Sequence, residues 1–171
     1  MENQNHAFNY AYLLKQVKAR VLLAQKKAIY TANEEMLSMY WDIGKLLSES
    51  QKQIGWGNNA LEKLANDLKN DYPEMKGFSV RNCQFMIQFY NEYNQQLTNT
   101  KRAVSYLNNN EIVLPISKLG WSHNITLMQR TKDIKARYWY MIQCLKNGWS
   151  RDFLIEAIKQ DYYHSHGALA S

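Results

Sequence analysis

The chain has 171 residues, 46% of them hydrophobic and 13% aromatic, which is ample for a packed core and too apolar for a disordered chain. Seven Gly and two Pro exclude collagen-like, low-complexity and turn-dense all-β sequences. The net charge of +6 permits a polyanionic partner without requiring one.

The first predicted helix covers residues 10–30. Tyr10, Leu14, Val17, Val21, Ala24 and Ala28 recur at alternating steps of four and three. That stripe fits a core-facing helix, and it also fits a three-heptad coiled-coil seam. Asn33 is placed to cap a second helix whose buried face is Met36, Tyr40, Ile43 and Leu47. Gly44 sits inside it, where a close helix–helix approach would justify a residue that costs about 1 kcal/mol relative to Ala. This helix ends near Gly55-Trp56-Gly57, and a third runs to about Asp71, with Leu61, Leu64, Ala65 and Leu68 inward. Pro73 closes it, because the residue before a proline is pushed out of helical geometry.

Gly77-Phe78-Ser79 recurs in kind as Gly120-Trp121-Ser122 and Gly148-Trp149-Ser150. The three read as one device: a Gly turn, an aromatic staple and a Ser that caps the next helix. A fourth helix follows over 79–93. Its apolar side carries Cys83, Met86, Ile87 and Tyr90, and its polar stripe carries Arg81, Gln84, Gln88 and Asn91. Residues 94–111 are rich in Asn, Gln and Thr and read as a surface loop. Within it, 103–107 and 112–114 flank Asn108-Asn109-Asn110 as a candidate β-hairpin. Helices are expected again at 122–131, 133–147 and 150–160, followed by a tail at 161–171.

Two segments carry helix-turn-helix character. In the first, 57–71 supports and 79–93 is the recognition helix, with Arg81 and Asn82 in the turn that such helices offer to base edges. Arg suits guanine and Asn suits adenine through paired hydrogen bonds, and Gln84 and Gln88 extend the same lane. In the second, Lys118, His123, Arg130, Lys132, Lys135 and Arg137 gather positive charge against a single acid, Asp133. Such a cluster holds phosphates by charge and counterion release, and the plain alternative is a solvated helix face; His123 fits a base edge, a phosphate or a buried polar site.

Catalytic signals are weak. Ser122 and His123 are adjacent, but a nucleophile and its base need spatial geometry rather than adjacency. His164 and His166 have Asp161 as the nearest carboxylate in sequence and no thiol beside them, too few groups to complete a convincing ligand set. Asp71, Glu74 and Lys76 imitate a nuclease Asp…Glu-x-Lys pattern, yet the spacing is too short and Pro73 interrupts it. No phosphate loop or dinucleotide fingerprint is present, so no cofactor is expected. Cys83 and Cys144 read as two reduced thiols of a cytoplasmic protein. Met1–Asn9 lacks the basic-then-apolar order of a secretory signal, and no apolar run approaches the roughly 18 residues that span a bilayer.

Taken in order, Tyr40-Trp41-Asp42-Ile43-Gly44, Gly55-Trp56-Gly57, Gly77-Phe78-Ser79-Val80-Arg81-Asn82, Phe89-Tyr90, Trp121-Ser122-His123 and Gly148-Trp149-Ser150 resemble the YhcG-type N-terminal domain family. The resemblance runs from about Leu14 to Ile158. It implies a mainly α, multi-helix domain at 1–160 with helix-turn-helix or winged-helix-like units. It implies too that 161–171 leads toward a nuclease-like domain of the PD-(D/E)xK type, which this chain lacks. The expected role is then non-catalytic DNA binding or targeting, with DNA as partner. Homo-oligomerisation or protein interaction through the first helix is the alternative. Three positions depart from the family pattern. Cys83 replaces a leucine, Ile87 replaces a basic residue, and Asp152 replaces an arginine beside Arg151.

Overall fold

The computed structural model describes residues 10–54, 58–103 and 115–167, with backbone alone for 54, 58 and 95–103. Among the described residues six α-helices follow one another: α1 (Tyr10–Ile54), α2 (Asn58–Asp71), α3 (Val80–Ala103), α4 (Trp121–Arg130), α5 (Ile134–Asn147) and α6 (Arg151–Lys159). A 3-10 turn at Ile116–Lys118 precedes α4, and a π turn at Tyr163–Gly167 follows α6. The protein is mainly α, as expected. Among the described residues there is no strand; the candidate hairpin, apart from Ala103, lies outside them, as does Gly55-Trp56-Gly57.

Three boundaries differ from expectation for physical reasons. The two helices predicted either side of Asn33 are one helix of 45 residues. Nothing between Tyr10 and Ile43 breaks it, since the stretch has neither Gly nor Pro. Asn33 is no cap; its Nδ2 donates to the Leu119 carbonyl at 3.0 Å and ties α1 to the segment before α4. Likewise α3 continues to Ala103, because Asn and Thr only weaken a helix and no Gly or Pro ends it. The Gly-aromatic-Ser device operates twice rather than three times. Ser79 Oγ accepts from the Asn82 amide at 3.1 Å, and Ser150 Oγ accepts from Phe153 at 3.2 Å. Gly148 ends α5 at φ 62°, the left-handed conformation that glycine adopts without strain. At the middle copy, Gly120 holds the cap position at φ −63° and Ser122 lies inside α4. Asp133 supplies an unexpected cap, its carboxylate accepting from the Lys135 amide at 2.9 Å.

The second half of α1 lies along α3. At their crossing Gly44 is pressed onto the Met86 backbone, so closely that an added Cβ would fall 2.1 Å from its carbonyl oxygen. Leu47, Leu61 and Cys83 join α1, α2 and α3 on one side; Tyr40, Phe78 and Met86 fill the other. The largest cluster sets Phe89 and Tyr93 of α3 against Leu127, Met128, Tyr140, Met141 and Leu154 of α4–α6. After α6 the chain folds back: the Tyr163 amide donates to the Tyr140 hydroxyl at 3.1 Å, and Gly167 lies against Trp139.

Both cysteines are free and buried. Burial pushes the Cys144 thiol from 9.0 up to about 11, and pushes the Tyr93 hydroxyl from 10.0 up to about 12 against the opposing charge of Arg137. Below about pH 9 the thiol keeps its proton folded and unfolded alike, so it gives stability no pH dependence. Above that the unfolded chain loses protons first, and stability falls as pH rises toward 11 and 12. Urea midpoints are therefore expected to drop between about pH 8 and pH 10.5, with a shallower drop in Cys144→Ala. A midpoint flat over that range would contradict the assignment.

Candidate nucleic-acid interface

The start of α3 is built by the motifs that seemed most suggestive in sequence. Asn82 is the hinge of that construction. Its Nδ2 donates to the Gly77 carbonyl at 2.6 Å, and its Oδ1 accepts from the Trp121 indole at 2.8 Å. Trp121 in turn packs on Tyr40, with ring centroids 4.9 Å apart, and on Phe89 at 5.2 Å. Gly77 sits under the Tyr40 hydroxyl at φ 115°. Thus the Tyr-Trp-Asp-Ile-Gly, Gly-Phe-Ser-x-Arg-Asn and Trp-Ser-His elements meet at one junction of α1, α3 and α4. Asn82, expected to reach adenine, is instead a structural bracket with both ends of its amide engaged.

The polar stripe of α3 is only partly open. Arg81 and Gln84 are exposed, and the Arg81 guanidinium lies 5.6 Å from the Phe85 ring centre. Gln88 is half-buried and donates to Glu92 at 2.6 Å. Asn91 accepts from Ser48 of α1 at 2.6 Å. The connection from α2 to α3, Tyr72 to Ser79, is also longer than the 3–4-residue turn of a helix-turn-helix.

The second cluster divides. Lys118, Arg130, Lys132 and Lys135 are exposed, and none of them pairs with a carboxylate among the described residues. Asp133, the acid between them, has its side chain at the N-cap of α5. His123 is half-buried; its Nε2 donates to the Trp149 carbonyl at 2.8 Å, which joins α4 to the entry of α6. Its role is that of a strut. Arg137 is the plainest correction. It is 5% exposed and ion-paired with Glu92 of α3, and it donates to the Thr131 carbonyl and, at 3.4 Å, to the Met128 carbonyl. It therefore caps the C-terminal carbonyls of α4, where a cation also suits the helix dipole. Sequence reasoning missed Glu92, its partner; a lone acid on an otherwise uncharged stretch of α3 was the available signal.

What remains open is Arg81 and Gln84 at the start of α3, Lys118 ahead of α4, and Arg130, Lys132 and Lys135 at the other end of α4. Lys118 lies within about 11 Å of Trp121 by chain length alone. Trp121 touches Asn82, the neighbour of Arg81, so those two cations belong to one end of α4. Arg130 is nine residues on, roughly 14 Å along the helix. Among the described residues no group of three or more His, Cys, Asp or Glu side chains could hold a metal ion, and no helix is long and apolar enough to cross a membrane.

These features define a helical module whose free cations fringe both ends of one helix. The family model of the DUF1016 N-terminal domain matches residues 16–165, and the chain belongs to that family. No curated protein and no solved structure matches it.

Proposed function

We propose that this chain is a non-catalytic DNA-binding module that grips the phosphate backbone from both ends of α4. The supporting observation is that Arg81, Lys118, Arg130, Lys132 and Lys135 are all exposed and free of carboxylate partners among the described residues. Base reading is a minor part, since Asn82 and Gln88 are engaged within the fold and only Gln84 remains beside Arg81. Helix-turn-helix docking is retained in a restricted sense, with the first turn of α3 at the duplex and the rest of that helix in the core. Catalysis would belong to the C-terminal nuclease-like domain that the family resemblance implies, and this chain would target it.

Contacts to about five phosphates give a log affinity against log salt slope near −4.5, or a loss of about 500-fold between 50 and 200 mM salt. Titration of duplex, branched and single-stranded DNA at those two concentrations tests this. Arg81→Ala with Lys132→Ala should bring the slope to about −2.7 and remove retention in a gel-shift assay. Unchanged retention would withdraw the site.

A further inference from the structure

From Tyr10 to Ala32 every residue of α1 is exposed, so a rod of roughly 34 Å stands clear of the described core. It is not a polar rod. Leu14, Val17 and Val21 of the heptad stripe are 36%, 51% and 49% exposed, and outside the stripe Leu22, Leu23 and Ile29 are 52%, 62% and 73% exposed. A helix apolar on several sides is one that is buried in its working state, and this many large apolar side chains exposed on one element mark an interaction site.

Charge selects the occupant. Lys15, Lys18, Arg20, Lys26 and Lys27 punctuate this half of α1, and no Asp or Glu occurs between Tyr10 and Asn33. With Leu14, Val21 and Ala28 at position a and Tyr10, Val17 and Ala24 at d, the flanking e and g positions include Lys18, Gln25, Arg20 and Lys27. A second copy gains nothing there. In a parallel pair the flanks meet as Leu13 with Lys18, Arg20 with Gln25 and Lys27 with Ala32, without one opposite charge. In an antiparallel pair centred on the seam, Arg20 meets Arg20 and Lys18 meets Lys18. The small residues Ala24 and Ala28 on the seam favour close approach of another helix over insertion in a lipid surface, which uses bulky apolar side chains.

We propose that the exposed half of α1 docks amphipathic helices of a different protein whose apolar seams are flanked by Asp and Glu. The seam supplies the buried area, and the cations at the flanks select an acidic partner and reject a basic one. This is independent of the DNA-binding reading, which uses other residues.

The test uses the full chain and two synthetic three-heptad peptides with Leu at a and d, one carrying Glu and the other Lys at e and g. Fluorescence anisotropy should show at least a tenfold preference for the Glu peptide. Val17→Glu with Val21→Glu, at exposed positions that leave the core untouched, should abolish that binding with an unchanged circular dichroism spectrum. Lys18→Ala with Arg20→Ala and Lys27→Ala should erase the preference while leaving the salt slope for DNA unaltered. Equal binding of the two peptides, or none, overturns the proposal. So does concentration-dependent dimerisation of the chain alone that Val17→Glu with Val21→Glu removes, which would make a second copy the occupant. Flotation with phosphatidylserine vesicles, or a fall in the DNA salt slope in the triple variant, overturns it in favour of lipid or nucleic acid.

Discussion

Arg137→Met should lower the free energy of unfolding by about 3–5 kcal/mol, the cost of breaking a buried ion pair from one side. The guanidinium is almost wholly enclosed, with its paired carboxylate on α3 and two accepting carbonyls at the end of α4. Removing it leaves the half-buried Glu92 with Gln88 as its remaining donor, and leaves the Thr131 and Met128 carbonyls without this one. Arg137→Lys keeps the charge but loses the planar fork, so most of the loss should persist. Adding Glu92→Leu to Arg137→Met should restore part of it, since an apolar pair carries no desolvation penalty. Urea denaturation of the four proteins measures this. A loss below about 1 kcal/mol in Arg137→Met would mean that the pair is only a surface contact. The experiment also separates the structural role from the phosphate contact expected for Arg137 in sequence. Folded Arg137→Lys should keep its DNA affinity and its salt slope.

The second large effect is expected at Gly44. An alanine Cβ there would lie 2.1 Å from the Met86 carbonyl oxygen, 2.7 Å from its carbon and 3.2 Å from Tyr90 Cβ. The first two are backbone atoms of α3, so no rotamer change relieves the clash and the two helices must separate. Alanine favours the isolated helix by about 1 kcal/mol, but overpacking costs about 1–3 kcal/mol and the separation also opens neighbouring contacts. A net loss of about 2 kcal/mol is expected in Gly44→Ala, and a larger one in Gly44→Val. The edge-on packing of Trp41 against Phe89 and Tyr90 should loosen with it, which near-ultraviolet circular dichroism reports. A stabilised Gly44→Ala would show that the crossing has slack and that helix propensity dominates.

Much of the helical plan was legible because it rests on local rules. Proline after α2, serine caps at Ser79 and Ser150, glycine at the end of α5 and the apolar spacing of α2 all act within a few residues. The close approach at Gly44 was legible too, as a glycine where alanine would serve the helix better. The errors have a common cause. Side chains that are polar in sequence meet partners that only folding brings near. Asn82, Asn91, His123 and Arg137 look alike on a helical wheel whether water or a neighbouring helix faces them, and Gln88 is tied to Glu92 one turn along its own helix. The exposed half of α1 left one overlooked trace. Val21 and Leu37 are sixteen residues apart, about 160° around a helix axis. A stripe centred near Val21 and a buried face holding Leu37 therefore cannot meet the same core on one straight helix.

Sequence alone determined that this protein is helical, where most of its helices start and stop, and that positive charge gathers on either side of α4. Those are consequences of propensity, capping and composition, which are properties of short segments. The tertiary structure decided which cations stay free and which brace the core. It decided also that the family-like motifs converge on a packing junction, and that half of α1 stands uncovered. Burial and partnership depend on residues 39 to 86 positions apart, as in the Trp121–Asn82 and Asn33–Leu119 hydrogen bonds, and no local pattern encodes such pairings.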